Sequence, residues 1–234
     1  MHISVRFTAI AAIAVLALSS GTRTQAQTTA SPTAGNGTYI SSDPLAGVRY
    51  DNRYDVSLGM AYDHMKAGAN VLQGANLGGL DLTGSYWFSK HFAVEGSGRS
   101  YLGSSGTGAA GPLVVHGPFV SQYLFVAGPE WLGPHNKHGA LIAHALFGGA
   151  YFDAHLGNVS PQTEAFYNNQ IAPAAIIGGH MDLNRSAHWV FRITPDAVMT
   201  HYTGYGILHT TAYSQYDVNF AISVGVEYKF NKKR

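Results

Sequence analysis

Charged side chains recur at alternate positions of several apolar segments, and they raise the first chemical question about the chain. Eight of them are predicted to share one interior surface: Asp55, Asp81, Glu95, Arg99, Asp182, Arg192, Asp196 and Glu227. Carboxylates and guanidinium groups could line a path for ions, or they could pair with one another and fill the interior. Buried charges need partners of opposite sign. Because both signs are present, we expect a paired network.

Histidine and serine side chains suggest metal binding and nucleophilic catalysis. The chain has 12 His and no Cys, so a thiolate metal site is excluded. His135 and His138 lie in the segment GPHNKHG, but strong zinc sites have closely spaced ligands and a second ligand cluster. A solvated turn is the better interpretation, and no metal or other cofactor is predicted. The sequence contains no G-x-S-x-G motif and no Ser/His pair two residues apart on an apolar face. We therefore predict no catalytic residue and no enzymatic activity.

The element that must position these side chains is clearest near the C-terminus. In YDVNFAISVGVEYKF, residues 216–230, large apolar residues alternate without interruption with small or polar ones. This period of two is typical of a strand with one apolar and one polar face. Strands of globular proteins average about 5–6 residues, whereas a tilted strand needs about 9–11 to cross a membrane. We therefore predict a transmembrane strand. Its predicted lipid-facing residues are Val218, Phe220, Ile222, Val224 and Val226.

Eight strand-like segments can be counted along the chain. Those near residues 119–130 and 140–153 are apolar on both parities, so their facing cannot be assigned. Short and long connections alternate strictly, which is typical of an up-and-down barrel in a membrane. The predicted fold is therefore all-β, an eight-stranded antiparallel up-and-down transmembrane β-barrel. A barrel of this size is only wide enough for its side chains to fill it, which favours a plugged interior.

Aromatic residues are expected where the strands meet the membrane surfaces, because their rings prefer the interface between lipid and water. Six aromatic residues lie near strand ends or beside short turns, and we predict that they form interface girdles: Tyr54, Tyr62, Trp131, Trp189, Tyr228 and Phe230. In lipid the first and last strands must pair, since an open edge would leave backbone groups without hydrogen bonds.

The N-terminal part of the chain predicts export. Residues 1–26 have the anatomy of a signal peptide, with Arg6 before a short apolar run over residues 7–18 and a small-x-small cleavage site ending at Ala26. That run is shorter than the roughly 20 residues of a membrane-spanning helix. Residues 27–50 are rich in Thr, Ser, Gly and Pro and are predicted to be flexible, and residues 51–231 form the predicted barrel domain. Net charge is only +1, and nothing indicates a nucleic-acid partner.

Four stretches carry a resemblance to a known class: FVAGPEW, AHALFGGAYF, IIGGHMDL and SVGVEYKF. In them the chain, over residues 50–230, resembles the small eight-stranded outer-membrane barrels of the OmpA-like, OmpX-like and opacity-type families, often called the outer membrane protein beta-barrel domain. The resemblance implies the outer membrane of a Gram-negative-type bacterium, with outer-membrane lipid and the barrel assembly machinery as partners. It also implies a structural, adhesive or protective role. One departure is that four residues follow Phe230, where such barrels commonly end on the aromatic residue.

The predicted function is therefore that of an integral outer-membrane barrel with a structural or surface-interaction role and a sealed, ion-paired interior. The long loops could bind a surface ligand, because loops are where barrels place their specificity. Two alternatives stay open from the sequence. The first is a small pore for ions or very small solutes. The second is a soluble periplasmic barrel of the calycin type, which should have an apolar interior and a polar exterior.

Overall fold

The chain folds into eight long strands, as the sequence predicts. The structure is a computed structural model, and it describes residues 43–68, 74–105, 118–155, 167–205 and 212–230. The predicted signal peptide, the predicted flexible segment up to residue 42 and residues 231–234 lie outside the described residues. The strands are β1 (Tyr54–Met65), β2 (Ala75–Trp87), β3 (Phe92–Ser105), β4 (Phe119–His135), β5 (Gly139–His155), β6 (Gln170–Asn184), β7 (Trp189–Tyr205) and β8 (Ala212–Lys229).

Each strand pairs antiparallel with its neighbours in sequence, and β1 pairs with β8 to close the barrel. The closing register places Tyr62 opposite Ile222 and Asp55 opposite Lys229. Closure leaves no strand edge unpaired, which is the condition for a sheet in lipid. The strands have 12 to 18 residues, long enough to cross a bilayer at a tilt. Among the described residues, no helix is long and apolar enough to span a membrane.

The three short connections are tight turns stabilised by a side-chain oxygen. Ser89 Oγ accepts the N–H of Phe92 at 2.9 Å, and Ser186 Oγ accepts the N–H of Trp189 at 3.0 Å. In the turn between β4 and β5, Asn136 Oδ1 accepts the N–H of His138 at 2.7 Å. Short polar side chains commonly stabilise turns in this way. The tight turns define one rim of the barrel, which we call the turn rim; the longer connections join the strands at the opposite rim, the loop rim.

The outer surface carries a broad belt of apolar side chains. Val218 is 69% exposed, Phe220 60% and Val226 50%, and Ile222 and Val224 point the same way. A soluble protein rarely exposes so large a continuous apolar surface. The interior is instead rich in buried polar and charged residues. This arrangement is the reverse of a calycin-type barrel, so the soluble alternative is wrong.

The structure assigns the facing of the two strands that the sequence left open. On β4, Gln122 and Glu130 face the interior while Phe125 and Trp131 face outward. On β5, the even-numbered residues other than Gly148 are buried in the interior, and His144 is the buried ionisable residue among them. Odd- and even-numbered positions of β4 and β5 both look apolar in the sequence because the barrel interior is itself apolar toward the loop rim. Leucine or phenylalanine there has the same character as the lipid-facing residues.

The predicted interface aromatics lie near the strand ends. On the turn rim, the ring centroid of Tyr228 is 5.0 Å from that of Trp189 and 5.1 Å from that of Phe230. Tyr54 packs there against Tyr86 at 5.3 Å, and Trp131 is 46% exposed close to the turn after β4. Tyr62 lies toward the loop-rim end of β1 and is 44% exposed. These positions suit two aromatic girdles at the membrane surfaces.

Candidate functional site in the barrel interior

All eight charged residues predicted for the interior point into the barrel. None is more than 3% exposed: Asp55, Asp81, Glu95, Arg99, Asp182, Arg192, Asp196 and Glu227. They form two groups rather than a single network. Along β7, Arg192 and Asp196 are four residues apart, roughly 13 Å along a strand, so each pairs with groups at its own level. No ion pair joins the two groups among the described residues.

The first group, the turn-side cluster, contains Asp182, Arg192 and Glu227. Asp182 and Arg192 lie opposite each other in the β6–β7 register, and the guanidinium contacts both carboxylate oxygens, Nε to Oδ1 at 2.8 Å and Nη2 to Oδ2 at 2.9 Å. Arg192 Nη2 also lies 3.0 Å from Glu227 Oε2. The bidentate contact between Arg192 and Asp182 is the strong form of a charge-assisted hydrogen bond. Nearby, Asp55 Oδ2 accepts the indole N–H of Trp87 at 2.5 Å.

The second group, the central cluster, begins at Arg99. Its Nε lies 3.3 Å from Asp81 Oδ1, and its Nη2 lies 2.6 Å from Asp196 Oδ2. Asp81 also accepts hydrogen bonds from Ser97 Oγ at 3.2 Å and Ser223 Oγ at 2.8 Å. The side chains of both ion pairs are at most 4% exposed. A single guanidinium therefore holds carboxylates from β2 and β7 across the interior.

Two histidines extend the central cluster. His144 Nε2 lies 2.8 Å from Asp196 Oδ1, and His144 Nδ1 lies 2.8 Å from Glu95 Oε2. His180 Nε2 lies 3.1 Å from the same Glu95 oxygen, and its Nδ1 lies 2.8 Å from Thr194 Oγ1. Sequence reasoning missed His144 because the facing of β5 could not be assigned. The sequence does place His180 on the same face as Asp182, opposite the face of the next strand that carries Arg192 and Asp196, but it does not show the contact with Glu95.

A layer of aromatic side chains occupies the interior toward the loop rim. The ring centroids of Phe152, Tyr167 and Tyr202 are 5.1 to 5.8 Å apart, and all three residues are almost completely buried. Gln122 Nε2 donates to the Tyr202 hydroxyl at 2.8 Å, and the Tyr167 hydroxyl donates to Asp217. The polar ends of the rings are thereby satisfied, which packed tyrosines require.

Tyr50 covers the interior on the turn rim. Its hydroxyl accepts from Asn184 Nδ2 at 2.7 Å and donates to the carbonyl of Asn136 at 3.0 Å. The ammonium of Lys229 lies 4.5 Å from the centre of the Tyr50 ring, a favourable cation–π contact. Burial raises the pKa of the Tyr50 hydroxyl, so it stays protonated and able to donate. Tyr50 ends the segment for which the sequence suggested flexibility.

Two other arrangements bear on the earlier questions of metal binding and catalysis. His135 and His138 are exposed beside the turn after β4, where the His135 ring lies 6.3 Å from that of His91.

On the outer face, His201 Nε2 lies 2.5 Å from Ser214 Oγ on the neighbouring strand. Sequence inspection did not find this pair because it crosses between strands. A catalytic histidine is usually oriented by a third group at its other ring nitrogen, and among the described residues no carboxylate contacts that nitrogen of His201.

The comparisons with known proteins concern the fold. No family model matches the chain, and no curated protein matches it. Among solved structures, OprG from Pseudomonas aeruginosa is similar with a TM-score of 0.53 and 12% identity, over 80% of this chain and 99% of that one. Neisserial surface protein A has a TM-score of 0.47 and 13% identity over 76% and 97% of the two chains. Ail from Yersinia pestis has a TM-score of 0.43 and 18% identity, over 77% of this chain and 99% of that one.

The chain thus has the fold of the small eight-stranded outer-membrane barrels, and the predicted fold class is confirmed. OprG, the similar structure with a TM-score of 0.53, is described as an outer-membrane protein. Together with the exposed apolar belt, this fold indicates the outer membrane as the location.

Proposed function

We propose that the protein is an integral outer-membrane barrel with a structural or surface-interaction role, adhesive or protective, and that its interior is sealed. The observation that supports this most directly is the occupancy of the interior at successive levels. Tyr50 covers the turn rim, the turn-side and central clusters lie above it, and the aromatic layer of Phe152, Tyr167 and Tyr202 lies toward the loop rim. A conducting path needs continuous water, whereas within each of these levels the side chains contact one another across the interior.

The alternative is a small pore for ions or very small solutes. It is favoured by two buried carboxylates, Asp63 and Glu130, which are 0% exposed and form no ion pair with any described residue. An uncompensated buried carboxylate is costly, and water in a narrow channel would solvate it. The sealed barrel accounts for the same residues differently, because a carboxyl group in a dry interior takes up a proton and becomes neutral.

Conductance separates these two functions. The protein, refolded in detergent and inserted into planar bilayers, is expected to show no steady single-channel current, beside a large porin as a positive control. The matched variant carries Phe152→Ala and Tyr202→Ala, which thin the aromatic layer and leave the ion pairs in place. Current in this variant alone would show that the aromatic layer helps to seal the barrel. A steady current in the unmodified protein would overturn the sealed-barrel proposal.

The proposed partners are outer-membrane lipid and, during assembly, the barrel assembly machinery, with a possible surface ligand at the long connections. The lipid contact is supported by the apolar belt; the connections that would meet a ligand lie largely outside the described residues. Cell fractionation and gel migration with and without heating test the membrane placement. We expect recovery with the outer membrane and heat-dependent migration. Recovery as a soluble periplasmic protein would refute the proposal.

A further inference from the structure

Three potential metal ligands converge in the central cluster. Glu95 on β3, His144 on β5 and His180 on β6 are all buried, and each offers one ligand atom to a shared point. Glu95 Oε2 lies 2.8 Å from His144 Nδ1 and 3.1 Å from His180 Nε2, and the two nitrogens are 3.3 Å apart. From these contacts we infer that the barrel interior contains a binding site for a divalent first-row transition metal, with zinc as the reference ion.

The spacing of the three atoms suits tetrahedral coordination. Bond lengths of about 2.0–2.1 Å around zinc place neighbouring ligand atoms about 3.3–3.4 Å apart. The observed triangle is close to one face of such a tetrahedron, and small side-chain shifts open it to the full size. Two imidazoles and one carboxylate are a known protein ligand set for zinc. Imidazole ligands favour zinc, copper, iron and nickel over magnesium and calcium.

Groups behind the ligands hold both imidazoles in the required orientation. Asp196 Oδ1 lies 2.8 Å from His144 Nε2, and Thr194 Oγ1 lies 2.8 Å from His180 Nδ1. A proton on each of these outer nitrogens leaves the inner nitrogens, His144 Nδ1 and His180 Nε2, free to bind metal. Metal-binding histidines commonly donate their other N–H to such a partner. Asp196 is itself fixed by Arg99 at 2.6 Å.

Charge gives an independent reason for a cation. The connected central cluster contains three carboxylates, Asp81, Glu95 and Asp196, against the single guanidinium of Arg99. With neutral imidazoles, two negative charges remain uncompensated in a buried site, and one divalent ion would neutralise them. In addition, Glu95 Oε1 is buried without a hydrogen-bond partner among the described residues. Protons on the two histidines are the competing way to balance the charge.

A metal at this position would connect β3, β5 and β6 through the interior, and it would enter during folding because the site is buried. The experiment therefore refolds the untagged protein in detergent from a chelator-treated, metal-free state, with and without Zn²⁺. Metal content is measured after dialysis against chelator, and stability is measured by urea unfolding. We expect one Zn²⁺ per chain. At free Zn²⁺ 100 times the dissociation constant, the folding equilibrium should shift about 100-fold.

Two variants separate the buried site from surface histidines. Glu95→Gln retains the size of the side chain but removes the anionic ligand, and it should lose the retained zinc. The double variant His91→Ala, His135→Ala removes an exposed pair of rings, and it should keep the retained zinc. If Glu95→Gln fails to fold, the visible spectrum of Co²⁺ in the unmodified protein still reports tetrahedral or octahedral coordination. Tetrahedral Co²⁺ supports the site.

Three results would overturn the inference. If no metal resists chelation, the cluster is held together by protons alone. If the zinc is lost from the double variant and kept in Glu95→Gln, the metal is adventitious and bound at the surface only. An octahedral Co²⁺ spectrum in the unmodified protein would likewise exclude the three-ligand site.

Discussion

Arg99→Ala is the change that tests the sealed interior most directly. The guanidinium contacts Asp81 and Asp196, so its removal leaves two buried carboxylates without their cation. Breaking a buried ion pair by removing one partner costs about 3–5 kcal/mol. Here Asp81 retains two serine hydroxyls and Asp196 retains His144. These remaining contacts put the expected loss at the lower end, about 3 kcal/mol.

Urea unfolding in detergent micelles measures this loss. A loss of about 3 kcal/mol changes the unfolding equilibrium about 100-fold. With a urea dependence of about 2 kcal/mol per molar, the midpoint should fall by about 1.5 M. Combining Arg99→Ala with Asp81→Ala should then cost less than the sum of the single changes, because the two side chains interact directly. Coupling of about 0.5–3 kcal/mol is usual for such pairs.

The matched control is Lys137→Ala. Lys137 Nζ lies 3.3 Å from Asp43 Oδ2, the same distance that separates Arg99 Nε from Asp81 Oδ1, but these side chains are 56% and 42% exposed. Exposed pairs contribute little because water screens them, so the urea midpoint should not move measurably. If Arg99→Ala shifted the midpoint no more than Lys137→Ala, the interior charges would be hydrated and the sealed-barrel reasoning would fail.

Two further changes test the outer face and the packing of the interior. Ile222→Arg places a charge near mid-strand on the lipid face and should lower the free energy of unfolding in vesicles by about 2–4 kcal/mol. Ser214→Arg, near the end of the same strand, should lower it by only about 0–1 kcal/mol. Equal losses in the two variants would contradict the assigned depth. Gly178→Ala should destabilise the barrel by about 1–3 kcal/mol, because a Cβ there would overlap Asp196 Oδ1. Gly149→Ala is the control: its Cβ would lie 3.7 Å from the nearest neighbouring atom, so the stability should change little. Urea unfolding of both glycine variants checks this difference, and equal stability would contradict it.

The strands and their membrane facing could be predicted because the alternation of residue types is a local property of the sequence. On β8 every second residue from Tyr216 to Tyr228 is large and apolar, and such a pattern over so many residues has few other structural solutions. The short turns could also be located, since Ser89, Asn136 and Ser186 are residue types that favour turns. These features depend on neighbours in the sequence, so a single chain displays them.

The pairing inside the barrel could not be predicted because it depends on register and tilt between distant strands. Asp182 and Arg192 face each other across one short hairpin, but nothing local shows that Arg99 on β3 contacts Asp196 on β7. His144 was missed for a related reason, as β5 is apolar on both parities. The contact of Glu95 with His144 and His180 joins three strands, and the β3–β4–β5–β6 registers together create it.

The inward charges also explain how the strands keep a single facing in a membrane. A slip of one residue in register would turn every inward side chain toward lipid, and an Arg at mid-membrane on that side costs about 2–4 kcal/mol. On β7, Arg192 and Asp196 oppose such a slip. On β4 and β5, each of which carries apolar residues on both faces, the buried ionisable residues are Glu130 and His144. These two lie directly opposite each other in the β4–β5 register. The facing of the two strands that the apolar pattern leaves ambiguous is therefore specified at one shared level, where a slip of either strand would expose an ionisable group to lipid.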